Sequence, residues 1–223
     1  MIYNIAIDGP AGAGKSTIAK RVAKNLGFIY VDTGAMYRAM AVYFLDKGID
    51  VKDEDAVSRD CDNVNIMIEY KDNLQQVILN GENITSRLRT EEVGNTASAV
   101  AVYPAVRKKL VELQKELAKK TSVVMDGRDI GTVIMPSADV KIYLTAGDGE
   151  RAVRRRDELA EKGVPAKLDE IREALTKRDA NDMNRTAAPA VAAPDAVKLD
   201  NSGFTKEQTL AAAIAIIDKA VMK

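Results

Sequence analysis

Apolar residues recur along this chain in two rhythms. Short, nearly unbroken apolar runs occupy residues 5–8, 28–31, 122–126, 140–145 and 196–199. Each has the length and composition of a strand buried on both faces. Helical spacing fills most of the intervals between them. After the first run, Ile18, Val22 and Leu26 stand four apart on one helix face, and Gly27 stops that helix. Strands alternating with helices predict an α/β fold with a parallel sheet. Ligands of such sheets bind beyond the carboxyl ends of the strands. Polar residues gather there: Asp8-Gly9, Asp32-Thr33-Gly34, Asp126-Gly127-Arg128-Asp129 and Asp200-Asn201-Ser202.

Residues 64–87 break the rhythm. Apolar and polar residues alternate, and Asn80-Gly81 is a strong turn signal. A small antiparallel sheet inserted after the second strand is predicted there. Residues 90–119 have helical spacing with an interruption near Pro104, and the Ala/Pro-rich stretch 187–194 is expected to be a connector.

Composition narrows the chemistry. A chain of 223 residues with 46% hydrophobic content suits one domain with insertions. Thirty-three basic and thirty-three acidic residues cancel, which gives no electrostatic support for a nucleic-acid polymer as partner. A lone cysteine, Cys61, excludes an internal disulfide and suits a reducing compartment. Asp8 interrupts the first apolar run with no basic segment before it, unlike a signal peptide. The apolar stretch 210–217 is too short to span a membrane. A cytoplasmic monomer is the expectation. The chain has no histidine, so Ser-His-Asp and Cys-His catalysis and His-ligated metals are excluded.

Residues Gly9, Pro10, Ala11, Gly12, Ala13, Gly14, Lys15, Ser16 and Thr17 fit G-x-x-x-x-G-K-[ST], the P-loop pattern. They join the first strand to the first helix. Unpaired backbone N–H groups and the helix dipole there favour an anion. Lys15 reaches toward β- and γ-phosphates, and Ser16 is suited to Mg²⁺. A P-loop alone does not separate a kinase from a GTPase, a motor or a regulator, but no Asn-Lys-x-Asp string is present to bind guanine. Arg38, Arg107, Arg128, Arg178 and Arg185 stand near motif positions, with Arg151, Arg154, Arg155 and Arg156. Arginine suits bidentate phosphate recognition. Arg178, Asp182 and Arg185, at i, i+4 and i+7, are expected on one helix face. That spacing fits a solvated ion pair equally well. Four arginines within residues 151–156 are expected to repel one another until phosphates arrive.

Four stretches carry a more specific signal: Asp32-Thr33-Gly34-Ala35-Met36-Tyr37-Arg38, Asn80-Gly81-Glu82-Asn83-Ile84-Thr85, Asp126-Gly127-Arg128-Asp129-Ile130-Gly131-Thr132, and Lys177-Arg178-Asp179-Ala180-Asn181-Asp182-Met183-Asn184-Arg185. With the P-loop they resemble the bacterial cytidylate kinases of the long type, from residue 9 to Ser202. Two departures are small: Thr33 replaces a common serine, and Asn83 a common aspartate. The resemblance implies a P-loop NTPase fold with a five-stranded parallel sheet flanked by helices, a nucleotide-binding insert (60–92) and an arginine-bearing lid (151–165). The remainder (1–59, 93–150 and 166–223) would be core of a single domain. It implies transfer of a phosphoryl group from ATP to CMP or dCMP with Mg²⁺. Ser98, Arg107 and Asp129 would meet the cytosine edge, and Arg178 and Asp182 the sugar. Thr33, Arg38, Arg128 and Arg185 would surround the acceptor phosphate, with Arg154 in the lid over ATP.

Residue chemistry agrees with that reaction. A phosphate monoester is mostly ionised at neutral pH and needs no general base. Catalysis then rests on positioning and on charge neutralisation by Lys15, Mg²⁺ and arginines. Asp126, at a strand end, resembles the acid that orients the Mg²⁺ shell; capping the following turn is its alternative role. Asp129 accepting from cytosine N4, and Arg107 donating to N3 or O2, would select CMP over UMP. Asp129 orienting Arg128 is the alternative. Other readings are a kinase for UMP or AMP and a non-catalytic nucleotide sensor. An RNA-binding regulator is poorly served by zero net charge and three phenylalanines.

Overall fold

The structure is a computed structural model that describes residues 2–71, 74–161 and 163–221. Residues 72 and 73 of the expected insert and residue 162 of the expected lid lie outside the described residues. Two compact units are present: Met1–Tyr30 with Thr121–Lys223, and Val31–Lys120. The chain opens with β1 (Asn4–Asp8), α1 (Lys15–Leu26) and β2 (Ile29–Asp32). The second unit follows as α2 (Thr33–Asp46), α3 (Glu54–Asp60), β3 (Ile66–Lys71), β4 (Leu74–Leu79), β5 (Glu82–Asn83), α4 (Glu91–Val100) and α5 (Pro104–Lys120). The chain then returns with β6 (Val123–Asp126), β7 (Val140–Thr145), α6 (Asp148–Glu161), α7 (Leu168–Asn184), β8 (Val197–Asp200) and α8 (Lys206–Val221).

All five apolar runs are strands, and they form a five-stranded parallel sheet in the order β2-β6-β1-β7-β8; the last run is not buried on both faces as expected, because β8 lies at the sheet edge and is mostly exposed. Placing β1 at the centre explains its near-complete burial, from Ile5 to Asp8. Ile5, Ile7, Val124, Ile142 and Leu144 pack with Ile18, Ala19, Val22 and Ala23 of α1 and Ala213 and Ile217 of α8. The four-residue spacing of α1 thus faces the sheet, as expected. Gly27 ends α1 in the left-handed conformation, φ 69°, which glycine adopts without steric cost.

The second unit holds the antiparallel sheet, β3-β4-β5. Ile66 pairs with Leu79 and Lys71 with Leu74. Asn80 (φ 48°) and Gly81 (φ 89°) make the two-residue turn into β5, the geometry that Asn-Gly favours. Met36, Ala39, Met40, Ala41, Val42 and Phe44 of α2 are all buried, so this helix is apolar on several faces and sits inside its unit. Pro104 opens α5, where its missing N–H costs nothing. No helix among the described residues is long and apolar enough to cross a membrane.

The expected placing of Arg185 is corrected too. Arg178 and Asp182 lie on α7, but the helix ends at Asn184, and Arg185 is extended at ψ 139°. The chain turns there into the Ala/Pro stretch: Ala188 is left-handed, φ 53°, its carbonyl accepts from Arg185 Nε, and Ala190 N–H closes back on the Asp182 carbonyl.

Candidate active site

The glycine-rich loop leaves the carboxyl end of β1 and enters α1. Gly9 has φ 144°, and a Cβ there would lie 2.0 Å from the Leu144 carbonyl oxygen. No side chain fits, so the loop can pass β7 only as glycine. Gly14 is left-handed, φ 88°, and makes no side-chain cap for α1. Lys15, which a solvent-facing loop would expose, is instead buried, with Nζ donating to the Pro10 carbonyl at 2.7 Å. Burial, and then the Arg128 guanidinium, hold its ammonium well below the usual range, while Asp126 and Asp8 pull the other way. Ser16 Oγ donates to Asp126 Oδ2, and the Tyr30 hydroxyl to Asp126 Oδ1, each at 2.7 Å. Asp126 is thereby tied to the hydroxyl that the motif assigns to a metal.

Behind this loop stands Asp8, whose carboxylate was legible only as a charge ending an apolar run. It is buried and accepts from the N–H of Ile130 at 2.9 Å and of Gly131 at 2.7 Å. Burial pushes its carboxyl up to about 6, although both N–H groups oppose the shift. Asp8 fixes the backbone just after Arg128 and Asp129.

Those two residues meet the end of α7. Arg128 Nε donates to Asp182 Oδ2 at 2.8 Å. Arg185 Nη2 lies 3.3 Å from Asp129 Oδ1, and Nη1 3.9 Å from Asp182 Oδ1. Two cations and two carboxylates interleave, mostly out of solvent. Arg178 is close enough to Lys15 to disfavour its charged form.

Helix α6 reaches the same loop. Arg154 donates to both Oδ1 and the carbonyl of Asn201 at 3.0 Å and pairs with Glu150 at 3.2 Å. Asn201 Nδ2 donates to the Ala13 carbonyl at 3.1 Å. Arg151 is buried against Ala11, Asp148 and Asp179. Arg155 pairs with Glu158 and Arg156 with Asp157. The mutual repulsion expected of these four arginines is therefore offset, each by a neighbouring carboxylate. Asp179 and Asn201 sit in the quoted motifs, but nothing in their spacing pointed to the loop they touch.

The first unit thus gathers Lys15, Ser16, Asp126, Arg128, Asp129, Arg154, Arg178, Asp182 and Arg185. Thr33, Arg38, Ser98 and Arg107 belong to the second unit. There, Asp32 caps α2 by accepting from Ala35 N–H at 2.9 Å and pairs with Arg38 at 3.0 Å and Arg89 at 3.1 Å. Thr33 is buried beside it. Ser98 is half-buried on α4, and Arg107 is buried on α5 with Nη1 donating to the Ala101 carbonyl at 3.4 Å. Arg89 had no signal in the sequence. Among the described residues no group of three or more acidic, cysteine or histidine side chains is placed to hold a metal.

A family model described as cytidylate kinase matches residues 5–219. A protein of Pelotomaculum thermopropionicum named cytidylate kinase is 47% identical over 95% of this chain and 94% of its own length. One of the same name from Oceanobacillus iheyensis is 46% identical over 90% and 87%. Among solved structures, an uncharacterized protein from Eubacterium ventriosum aligns over 97% of this chain and 98% of its own at a TM-score of 0.54 and 12% identity, a likeness of fold alone.

Proposed function

The chain belongs to the cytidylate kinase family, and from that premise we propose that it transfers the γ-phosphoryl group of ATP to CMP or dCMP. An oxygen of the acceptor phosphate attacks the γ-phosphorus, the bond to the β,γ-bridging oxygen breaks, and ADP leaves with CDP or dCDP. No proton needs to be removed from the attacking oxygen, which suits a chain without histidine.

The observation that carries this reading is the interleaved cluster Arg128–Asp182–Arg185–Asp129 in the same unit as the Lys15 loop. An NTP-hydrolysing site needs, beyond the loop, a group that positions water and at most an arginine finger; two guanidiniums paired with two carboxylates suit a second nucleotide. In this reading Asp129, Arg107 and Ser98 read the base, and Arg178 and Asp182 the sugar. Thr33, Arg38, Arg128 and Arg185 take the acceptor phosphate. Lys15 and Arg154 steady the charge that moves between the nucleotides. Ser16 Oγ and Asp126, in contact at 2.7 Å, offer the oxygen donors that a hard divalent cation takes. Mg²⁺ bound with ATP there would neutralise charge on the β- and γ-phosphates. Residues 60–92 would act as the acceptor insert and 151–165 as the lid of a single kinase domain. The lone buried Cys61 and the balanced charge fit a cytoplasmic monomer.

A substrate panel tests this: CMP, dCMP, UMP and AMP with ATP and Mg²⁺. Turnover of CMP and dCMP well above UMP and AMP is expected. Nucleotide binding without turnover would make the protein a sensor, and preference for UMP or AMP would overturn the base assignment.

A further inference from the structure

One residue of the glycine-rich loop is held from both sides. The N–H of Ala11 donates to Asp179 Oδ1 at 2.9 Å, and its carbonyl accepts from Arg151 Nη1 at 2.7 Å. Arg151 also pairs with Asp179 and with Asp148. The arginine side chain is 6% exposed and that of Asp179 13%. The next residue is hemmed in by the same arginine: a Cβ on Gly12 would stand 3.2 Å from Arg151 Cβ. Asp179 is carried by α7 between Arg178 and Asp182, and Asp182 accepts from Arg128. A single helix therefore touches the donor loop through one carboxylate and the acceptor cluster through the other.

We propose that Asp179, together with Arg151, is a positioning residue that ties the glycine-rich loop to α7 and so couples donor and acceptor binding. The acceptor half of the coupling rests on the reading of Arg178 and Asp182 as acceptor-nucleotide ligands. Ala11 N–H is occupied by the carboxylate, which leaves the phosphate cradle to the N–H groups that follow it. Loss of the carboxylate orphans a loop N–H and leaves a buried guanidinium with Asp148 as its remaining acidic partner named above. The loop then loses its fixed shape, and the acceptor site loses its hold on that shape. Coupling between two ligands is reciprocal, so each nucleotide should tighten the other equally in the wild type.

Calorimetry with a non-hydrolysable ATP analogue and with CMP, each alone and with the other saturating, reads this directly. Asp179→Ala is expected to weaken the analogue about tenfold, to leave CMP alone unchanged, and to bring the coupling factor close to one. In steady state KM for ATP should rise while KM for CMP at low ATP stays put. Asp179→Asn keeps an oxygen for Ala11 N–H without the charge and should fall between. Arg151→Met combined with Asp179→Ala should be no worse than the worse single variant. Analogue affinity within twofold of wild type in Asp179→Ala, or additive losses in the double variant, would overturn the proposal. So would an Asp179→Ala chain that fails to melt cooperatively while Asp179→Asn binds both nucleotides as wild type does, since the pair would then serve folding alone. A wild-type protein that binds the analogue but not CMP would remove the acceptor reading instead, and the brace on the loop would stand or fall on analogue affinity.

Discussion

At the scale of single residues, burial decides what each charge can do. Lys15 is a cation buried beside Arg128 and Arg178. Its removal should cost the reaction far more than the fold. Lys15→Met is expected to lower kcat by about a thousandfold or more while the melting temperature holds or rises, because an unfavourably placed charge has gone. A fall in both together would mean the lysine serves packing. Asp8 makes the opposite case. Its carboxyl titrates near 6 in the folded chain, against 3.8 as the ordinary value. The folded state holds that proton more tightly than the unfolded state. The stability it contributes is complete below 3.8 and is lost as pH rises through 6, about 3 kcal/mol in all. Denaturant midpoints of wild type and Asp8→Asn between pH 4 and 7 should therefore show the wild type losing ground to the variant as pH rises; a constant difference would contradict this. Asp129 tests base reading. Asp129→Ala should depress CMP turnover and narrow the CMP/UMP gap, since a carboxylate accepts from cytosine N4 and meets O4 of uracil acceptor to acceptor. Its 3.3 Å approach to Arg185 supplies the rival outcome: equal loss on both substrates would make it a holder of that arginine.

At the scale of elements, close approach governs. Gly9→Ala would drive a Cβ to 2.0 Å from the Leu144 backbone. β7 is an interior strand of the sheet and cannot retreat. A loss of roughly 3 kcal/mol or more is expected in chemical unfolding, whereas Gly149→Ala, with nothing within 4 Å, should be close to neutral. For α6, the acidic partners of its four arginines predict slow amide exchange through the helix before any nucleotide is added; fast exchange there would restore the repulsion expected from composition. Such elements were legible because their signals are local. Buried strands show as apolar runs, α1 as a four-residue repeat, and the insert as alternation closed by Asn80-Gly81. The order of strands was not legible, because β1 pairs with β6 across more than a hundred residues and nothing in either run names the other. The same holds for the site. Lys15, Ser16 and the arginines announce themselves by spacing, but Asp179 meets Ala11 from 168 residues away, and Asp8 binds backbone N–H groups, which every residue but proline possesses. Arg185 was placed on a helix because periodicity cannot see that its side chain bonds the Ala188 carbonyl, past the end of the helix.

At the scale of the whole molecule, the missing histidine sets the pH response. With no imidazole anywhere, kcat/KM for CMP should rise as the acceptor phosphate ionises around 6 and fall again where Lys15 loses its charge, below the ordinary lysine range because burial and Arg128 disfavour its ammonium. A falling limb that Lys15→Arg leaves in place would contradict this assignment to Lys15. Asp8 titrates within the rising limb and adds to it only through the loop it fixes. A different clock runs in the insert. The exposed Asn80-Gly81 turn presents a side-chain amide beside a backbone nitrogen that no Cβ shields. That pairing favours ring closure to a succinimide, which reopens as aspartate or isoaspartate. Aspartate would keep an acceptor for the Asn65 N–H now bonded to Asn80 Oδ1 at 2.7 Å. Isoaspartate would lengthen the main chain inside a two-residue turn and pull Leu79 out of line with Glu82. Stored warm and alkaline, the protein should therefore age from this one turn outward, and peptide maps should find the altered residue at position 80 before any loss of the parallel sheet.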